Sequence, residues 1–192
     1  MCDYMQKISY SIQDLNSTIK ELENFDRKNI VYIISLVDWI REALNAIVSV
    51  INPKVISHFS FSKQDELKQH NDYFKAIRSF VVAHPLGTTS HSKFGLDGDF
   101  ICVDIRDYEH LFIFKRNGNR EYSISIDGLK NGIISNGDFY LLSYSKKYYN
   151  MQYYTIIGCN YCDIYNTASL YVEKLYALDK YLVKNVKKKD YE

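Results

Sequence analysis

The amino-acid sequence predicts a mainly α-helical protein, a helical bundle with a small antiparallel β-hairpin or sheet inserted at about residues 99–127. Near both ends of the chain, apolar residues recur at a 3.6-residue period, which indicates amphipathic helices. In the middle of the chain the apolar runs are short, and two of them flank Asn117-Gly118, a pair that favours the tight turn of a hairpin. The length of 192 residues predicts one domain, 1–192, with its β insertion at about 99–136.

Two helices are predicted in the first part of the chain. The first covers about Ile8 to Asn24, and its apolar stripe consists of Ile8, Ile12, Leu15, Ile19 and Leu22. The second runs from about Arg27 to Val50 and is apolar on most sides, so it should be buried at the centre of the bundle. Asp38 and Arg41 lie three residues apart on its wet side and can form an ion pair.

A third helix is predicted from about Lys63 to Ala83, with Ser62 as its N-cap and Pro85 just beyond its end. One face carries Leu67, His70, Phe74, Ile77 and Val81. The polar residues that follow, "GTTSHSKFGLDGD", indicate a loop.

Residues 139–157 are rich in tyrosine and fit either helix or strand, with helix as the preferred prediction. A last helix covers about Asp163 to Lys187 and buries Leu170, Leu175, Leu178, Tyr181 and Leu182.

Composition excludes several classes of function. The net charge is +1, so nucleic acid would have to bind local patches rather than a basic surface field. The sequence shows no signal peptide and no apolar run of the ~18–20 residues that cross a bilayer, which predicts a cytoplasmic protein without membrane contact. The four cysteines (Cys2, Cys102, Cys159 and Cys162) should then be reduced.

A metal site has one candidate in the sequence, since Cys159-Asn-Tyr-Cys162 has the spacing of half a zinc site. No second pair of ligands accompanies these two cysteines along the chain, so two buried thiols are the preferred interpretation. No metal and no cofactor are therefore expected, and a zinc-dependent regulator remains the weakest alternative.

The most definite chemical motif is Arg78-Ser-Phe-Val-Val-Ala-His84, late in the third helix. An arginine followed by a polar residue, several apolar residues and a histidine resembles the signature of HEPN domains, in which asparagine is common at the position of Ser79. HEPN domains are small helical domains of prokaryotic toxins, abortive-infection proteins and CRISPR-associated ribonucleases. The resemblance covers this motif and its helical setting.

The resemblance implies a catalytic role for Arg78 and His84. In HEPN ribonucleases, two protomers bring their Arg–His pairs together, and RNA is cut without metal when the 2′-hydroxyl attacks the adjacent phosphorus. Arg78 would then bind the phosphate through its planar guanidinium, and His84 would transfer the proton. Ser79 would add a hydrogen bond. The hydroxyl-rich and imidazole-rich segment that follows makes Thr88, Thr89 and His91 candidates for substrate binding.

A structural role for the same pair is the alternative. On a straight α-helix, residues six apart point about 120° away from each other, although a two-fold partner could bring one protomer's histidine to the other's arginine. Arg78 could instead pair with Asp72 or Asp38, and His84 could hydrogen-bond the last carbonyls of its helix.

Two functions follow from the motif. The first is a dimeric endoribonuclease toxin of an abortive-infection (antiviral defence) or toxin–antitoxin system, with RNA as substrate and an antitoxin or a phage-derived trigger protein as partner. The second is a catalytically inactive HEPN-like module for binding or dimerisation.

Overall fold

The computed structural model describes residues 2–20, 22, 26–83, 87–94, 96–107, 120–123, 137–146 and 152–186. Most of these residues are helical, as the sequence predicts. The helices are α1 (Cys2–Lys20), α2 (Arg27–Val50), α3 (Pro53–Ile56), α4 (Gln64–Arg78), a π-helix (Ser79–Ala83) that continues α4, and α5 (Tyr161–Val186). Among the described residues, no helix has the length and apolar character needed to cross a lipid bilayer.

Helix α2 forms the centre of the bundle, because α1 lies along one side of it and α5 along another. Its buried residues are Ile30, Ile33, Ile34, Leu36, Val37, Ile40, Ala43, Leu44 and Ile47. The helix begins after Asp26, whose carboxylate accepts a hydrogen bond from the Lys28 N–H at 2.8 Å. It ends at Val50, shortly before Pro53, which cannot continue the hydrogen-bond ladder. The prediction of a buried central helix is confirmed.

Helix α4 buries the face that its period predicts. Leu67, His70, Phe74 and Ile77 are buried on α4, and Val81 is buried on the π-helix. The predicted N-cap is wrong. The cap position is Lys63, which makes no side-chain cap bond, and the Gln64 N–H donates to the Phe61 carbonyl at 3.1 Å. A backbone hydrogen bond therefore caps the start of α4 in place of the Ser62 hydroxyl.

Five strands form one sheet. They are β1 (Gly87–His91), β2 (Leu96–Arg106), β3 (Arg120–Ser123), β4 (Phe139–Lys146) and β5 (Gln152–Cys159), with the spatial order β1-β2-β4-β5-β3. The pairings β1–β2, β2–β4 and β4–β5 are antiparallel, whereas β3 pairs with β5 in parallel. The sheet is therefore larger than the predicted insertion at 99–127, and its chain segments start earlier and end later.

Two predictions in this region are wrong. The preferred helix at 139–157 is the strand pair β4–β5, and part of the predicted loop after Pro85 is strand β1. β4 lies between two strands, and at its junction with β5 the buried residues are Phe139, Tyr140, Leu141, Ile157 and Cys159. A strand buried on both faces shows no clear two-residue alternation, so periodicity did not distinguish it from a buried helix.

The predicted hairpin turn at Asn117-Gly118 falls outside the described residues. The same is true of the apolar run 110–116, of Pro85 and of the basic tail after Val186.

Polar contacts join the sheet region to the starts of two helices. The Asp138 carboxylate accepts a hydrogen bond from the Tyr161 N–H at 2.8 Å, at the first residue of α5. In the second contact, Arg27 of α2 pairs with Asp104 of β2 at 3.1 Å. Both contacts join the start of a helix to the sheet, which fixes where the helices enter the bundle.

Candidate functional site

Arg78 is the last residue of α4, and its side chain reaches across to α2. Its Nε donates a hydrogen bond to Asp38 Oδ2 at 2.6 Å. The arginine side chain is 37% exposed, whereas that of Asp38 is 14% exposed. The guanidinium therefore lies at the surface and is attached to a mostly buried carboxylate. This is one of the two ion pairs that the structural alternative predicts for Arg78.

Asp38 joins two arginines. Its Oδ1 also accepts hydrogen bonds from Arg41, at 3.0 Å from Nε and 2.8 Å from Nη2. Arg41 in turn contacts the exposed carboxylate of Glu42. The helical spacing explains this geometry, because residues three apart on α2 are neighbours, and Arg78 reaches them from α4. We call Arg78, Asp38, Arg41 and Glu42 the arginine cluster.

The π-helix separates Arg78 from His84 in the sequence. Phe80 and Val81 of this helix are buried, whereas Val82 and Ala83 are exposed. Because π-helical turns advance differently from α-helical ones, the angle calculated for a straight α-helix does not apply to the motif. His84 itself lies outside the described residues, so its distance from Arg78 is a matter for experiment.

The structure places the four predicted substrate-binding residues on two elements. Ser79 is half-buried at the junction of α4 and the π-helix, whereas Thr88, Thr89 and His91 lie on β1. The His91 ring packs edge-on against Phe80 of the π-helix, with 6.2 Å between centroids. His91 is thereby brought next to the element that follows Arg78. Among the described residues, neither threonine hydrogen-bonds to Arg78; Thr88 Oγ1 instead accepts from the Ser90 N–H at 3.1 Å.

His91 has a lowered pKa. Burial is the largest cause, and the positive charge of Lys93 lowers the pKa further, while the Asp72 carboxylate opposes both. Asp72 pairs with Lys93 at 2.9 Å, so this carboxylate is not the partner of Arg78. The imidazole therefore favours its neutral form, which is the form that can accept a proton.

Tyr171 of α5 is a further member of this region that sequence patterns do not indicate. Its hydroxyl donates to Asn71 Oδ1 at 2.5 Å. Burial raises the pKa of Tyr171 above its ordinary range; Arg41 lowers it, and the carboxylates of Asp38, Glu42 and Asp72 raise it. Tyr171 thus adjoins the arginine cluster. Nothing in the sequence separated it from the other 17 tyrosines, because its position depends on how α5 crosses α4.

A second polar cluster lies beneath α4, in the core. Tyr73 is fully buried, and its side chain lies beside the Asp163 carboxylate and the Cys159 thiol. Burial raises the pKa of Tyr73 well above its ordinary value, and Cys159 and Asp163 raise it further. Burial likewise raises the pKa of the Cys159 thiol. We call Tyr73, Cys159 and Asp163 the tyrosine cluster.

The prediction of two buried thiols is correct for Cys159 and wrong for Cys162, which is exposed at the start of α5. Within the described residues, no three histidine, cysteine or acidic side chains are grouped so that they could hold a metal ion.

By its fold the chain is a mainly helical protein with a five-stranded sheet packed on the bundle. No protein-family model, no curated protein and no solved structure matches it.

Proposed function

We propose that the chain is a metal-independent endoribonuclease toxin of the HEPN type, acting in an abortive-infection or toxin–antitoxin system. Two copies would form a composite site from Arg78 and His84. The observation that supports the proposal is the position of Arg78, whose guanidinium is part-exposed at the end of α4 and held by Asp38. An arginine presented in this way can bind a phosphate group of RNA.

In the proposed reaction, Arg78 and His84 act on the RNA, and Asp38 positions Arg78. Arg78 binds the non-bridging oxygens of the scissile phosphate, and Asp38 orients the guanidinium through its Nε–H. The 2′-hydroxyl oxygen attacks phosphorus as His84 accepts the hydroxyl proton, and the bond to the 5′-oxygen breaks. The leaving 5′-oxygen takes up a proton, from the histidine of the second copy or from water. The products are a 2′,3′-cyclic phosphate and a 5′-hydroxyl end.

The predicted substrate-binding residues take secondary roles in this proposal. His91 packs on the π-helix and favours its neutral form, so it could contact a base or ribose near the phosphate. Ser79, Thr88 and Thr89 offer hydroxyls on the same two elements. RNA is the substrate that fits a site without its own nucleophile, because its 2′-hydroxyl supplies one.

A catalytically inactive binding or dimerisation module is the second candidate function. One observation favours it, since the Arg78 guanidinium is neutralised by a carboxylate that Arg41 also holds in place. In such a module the ion pair would fix the end of α4 to α2 and would have no catalytic role.

Cleavage of RNA by purified variants separates the two functions. We expect Arg78→Ala and His84→Ala each to lower the cleavage rate by about 10²–10⁴, since loss of general acid–base help alone has this size. Arg78→Lys should also be impaired, because an ammonium keeps the charge but not the planar fork. The exposed His58 offers a control, and His58→Ala should cleave like the wild-type chain.

The assay contains EDTA, so that contaminating metal-dependent nucleases do not contribute, and thermal unfolding is recorded on the same preparations. If Arg78→Ala loses stability but keeps its activity per folded molecule, the arginine is structural. A wild-type chain that cleaves no RNA would leave the inactive module as the function.

A further inference from the structure

Helix α2 is buried on every side but one, and this one side is unusually apolar for a surface. Tyr32 and Trp39 are 38% and 40% exposed there. An open groove of about 440 Å³ runs along the same side and is lined by Arg27, Lys28, Val31, Tyr32, Ser35 and Trp39. We call the positions Lys28, Val31, Tyr32, Ser35, Trp39 and Glu42, which follow one another at helical spacing, the α2 stripe.

The two hydroxyls of the α2 stripe already have partners within the chain. Ser35 Oγ donates to the Val31 carbonyl at 2.8 Å, and the Tyr32 hydroxyl donates to Asp14 of α1 at 2.8 Å. The Lys7 ammonium lies 3.5 Å from the centroid of the Trp39 ring. Covering this surface would therefore leave neither hydroxyl without a partner, and unpaired groups are what make burial costly.

We propose that the α2 stripe is the surface through which two copies of this chain associate, with their α2 helices antiparallel and the two-fold axis at Ser35. A two-fold interface needs a surface that is complementary to itself. Ser35 is the smallest residue of the stripe, so the two helices can approach most closely there.

The spacing on either side of Ser35 gives this complementarity. Lys28 lies seven residues before Ser35 and Glu42 seven residues after it, so each lysine meets a glutamate of the second copy. Both residues are exposed. Val31 lies four residues before Ser35 and Trp39 four residues after it, so the Trp39 ring of each copy enters the groove beside Val31 of the other.

The groove lining favours a second copy on this surface. It combines Val31, Tyr32 and Trp39 with Arg27 and Lys28, and Arg27 is already paired with Asp104. An apolar groove accepts an indole ring of a partner helix, and the exposed Lys28 can meet a glutamate of the second copy. Tyr10 of α1 is 56% exposed and lies between Lys7 and Asp14 on one helix face, which widens the apolar surface.

The inference rests on the proposed function in one respect, because it names the surface by which the composite site would form. Asp38, which holds Arg78, precedes Trp39 and is three residues from Ser35. Across the proposed axis, the two Asp38 residues would be separated by about 9 Å along the helix direction, so the two arginine clusters would lie at a similar height along the paired helices. The stripe is only about 21 Å long, which favours a weak, micromolar dimer.

A charge exchange tests the pairing. Sedimentation of the full chain over a concentration series would compare the wild type with Lys28→Glu, Glu42→Lys and the double variant. Each single reversal places like charges together twice across the two-fold axis, so we expect the dissociation constant of the dimer to rise about tenfold. The double variant restores both pairs with exchanged signs and should associate more tightly than either single variant. Lys68→Glu, an exposed reversal on α4, should have no effect.

Ser35→Tyr adds bulk at the crossing point and should also weaken association. The interface is wrong if the wild type stays monomeric at roughly 100 µM, where even small specific interfaces associate. It is also wrong if the double variant associates no better than the single ones. Weaker binding of a single-stranded RNA 20-mer by Lys28→Glu, with unchanged association, would assign the stripe to RNA instead. Sedimentation needs no RNA cleavage, so failure of the proposed catalysis and failure of this interface are distinguishable.

Discussion

Two polar clusters share helix α4 but differ in depth. In the arginine cluster, Arg78 is 37% exposed and bound to Asp38, whose charge a second arginine also neutralises. In the tyrosine cluster, Tyr73 is fully buried beside Asp163 and the buried Cys159. Charged groups near water can exchange one partner for a ligand, whereas buried groups lose stability when a partner is removed. The difference in solvent exposure therefore favours a role in ligand binding for the arginine cluster and a role in fold stability for the tyrosine cluster.

The largest expected effect lies in the buried cluster. Tyr73→Phe removes a fully buried hydroxyl that lies beside Asp163 and Cys159, so polar groups in the core lose a neighbour with which they interact. We expect the free energy of unfolding to fall by about 2–3 kcal/mol, with RNA cleavage per folded molecule unchanged. Chemical denaturation measures the loss, and Tyr176→Phe, at a position that is 61% exposed, is the matched control. Equal stability of the two variants would contradict a structural role for the tyrosine cluster.

Asp38→Asn has an intermediate effect and acts on the arginine cluster. The substitution removes the charge between Arg78 and Arg41 but keeps an oxygen that accepts one hydrogen bond. We expect a loss of about 1 kcal/mol in stability, because Arg41 retains Glu42 and Arg78 is partly solvated.

The same variant should bind inorganic phosphate or RNA more tightly, since the two guanidinium groups no longer share a carboxylate. Titration calorimetry with a non-cleavable RNA, compared with wild type, measures this change. Unchanged binding together with a large stability loss would show that Asp38 serves the fold alone, and the contrast between the clusters would disappear.

His91 gives the smallest effect, because its burial is intermediate. Its pKa is lowered by burial and by Lys93, so the unfolded chain binds a proton more readily than the folded one. The contribution to stability is therefore complete above the unfolded pKa of about 6.5 and is lost as the pH falls below it. The free energy of unfolding should change with pH by well under ~1.4 kcal/mol per pH unit, the slope expected when the folded and unfolded chains differ by one bound proton.

Unfolding free energies at pH 7.5 and 5.5, compared between the wild type and His91→Gln, isolate this contribution from other titrating groups. The variant should lose less stability on acidification than the wild type. An equal loss in both chains would show that His91 titrates as it does in water, without influence from Lys93 or the π-helix.

The helical part of the fold was predictable from the sequence. The apolar stripe of α2 and the face of α4 follow a 3.6-residue period over many residues, and each buried helix satisfies its own backbone hydrogen bonds. The sheet was less predictable. The sequence favours a helix at 139–157, where the structure has β4 and β5. The reason is that β4 lies between β2 and β5, and strand pairing depends on residues far apart in the chain.

The sequence by itself determined the bundle, the central position of α2 and the Arg78–His84 motif. Only the tertiary structure decided that Asp38, and not Asp72, binds Arg78, because the sequence is compatible with either ion pair. It also placed Tyr171 beside the arginine cluster, where its hydroxyl binds Asn71, 100 residues earlier in the chain. His91 packs against Phe80, 11 residues earlier. The physical reason is that helical period fixes which side of an element is buried, whereas the partner of a surface charge depends on how the elements cross.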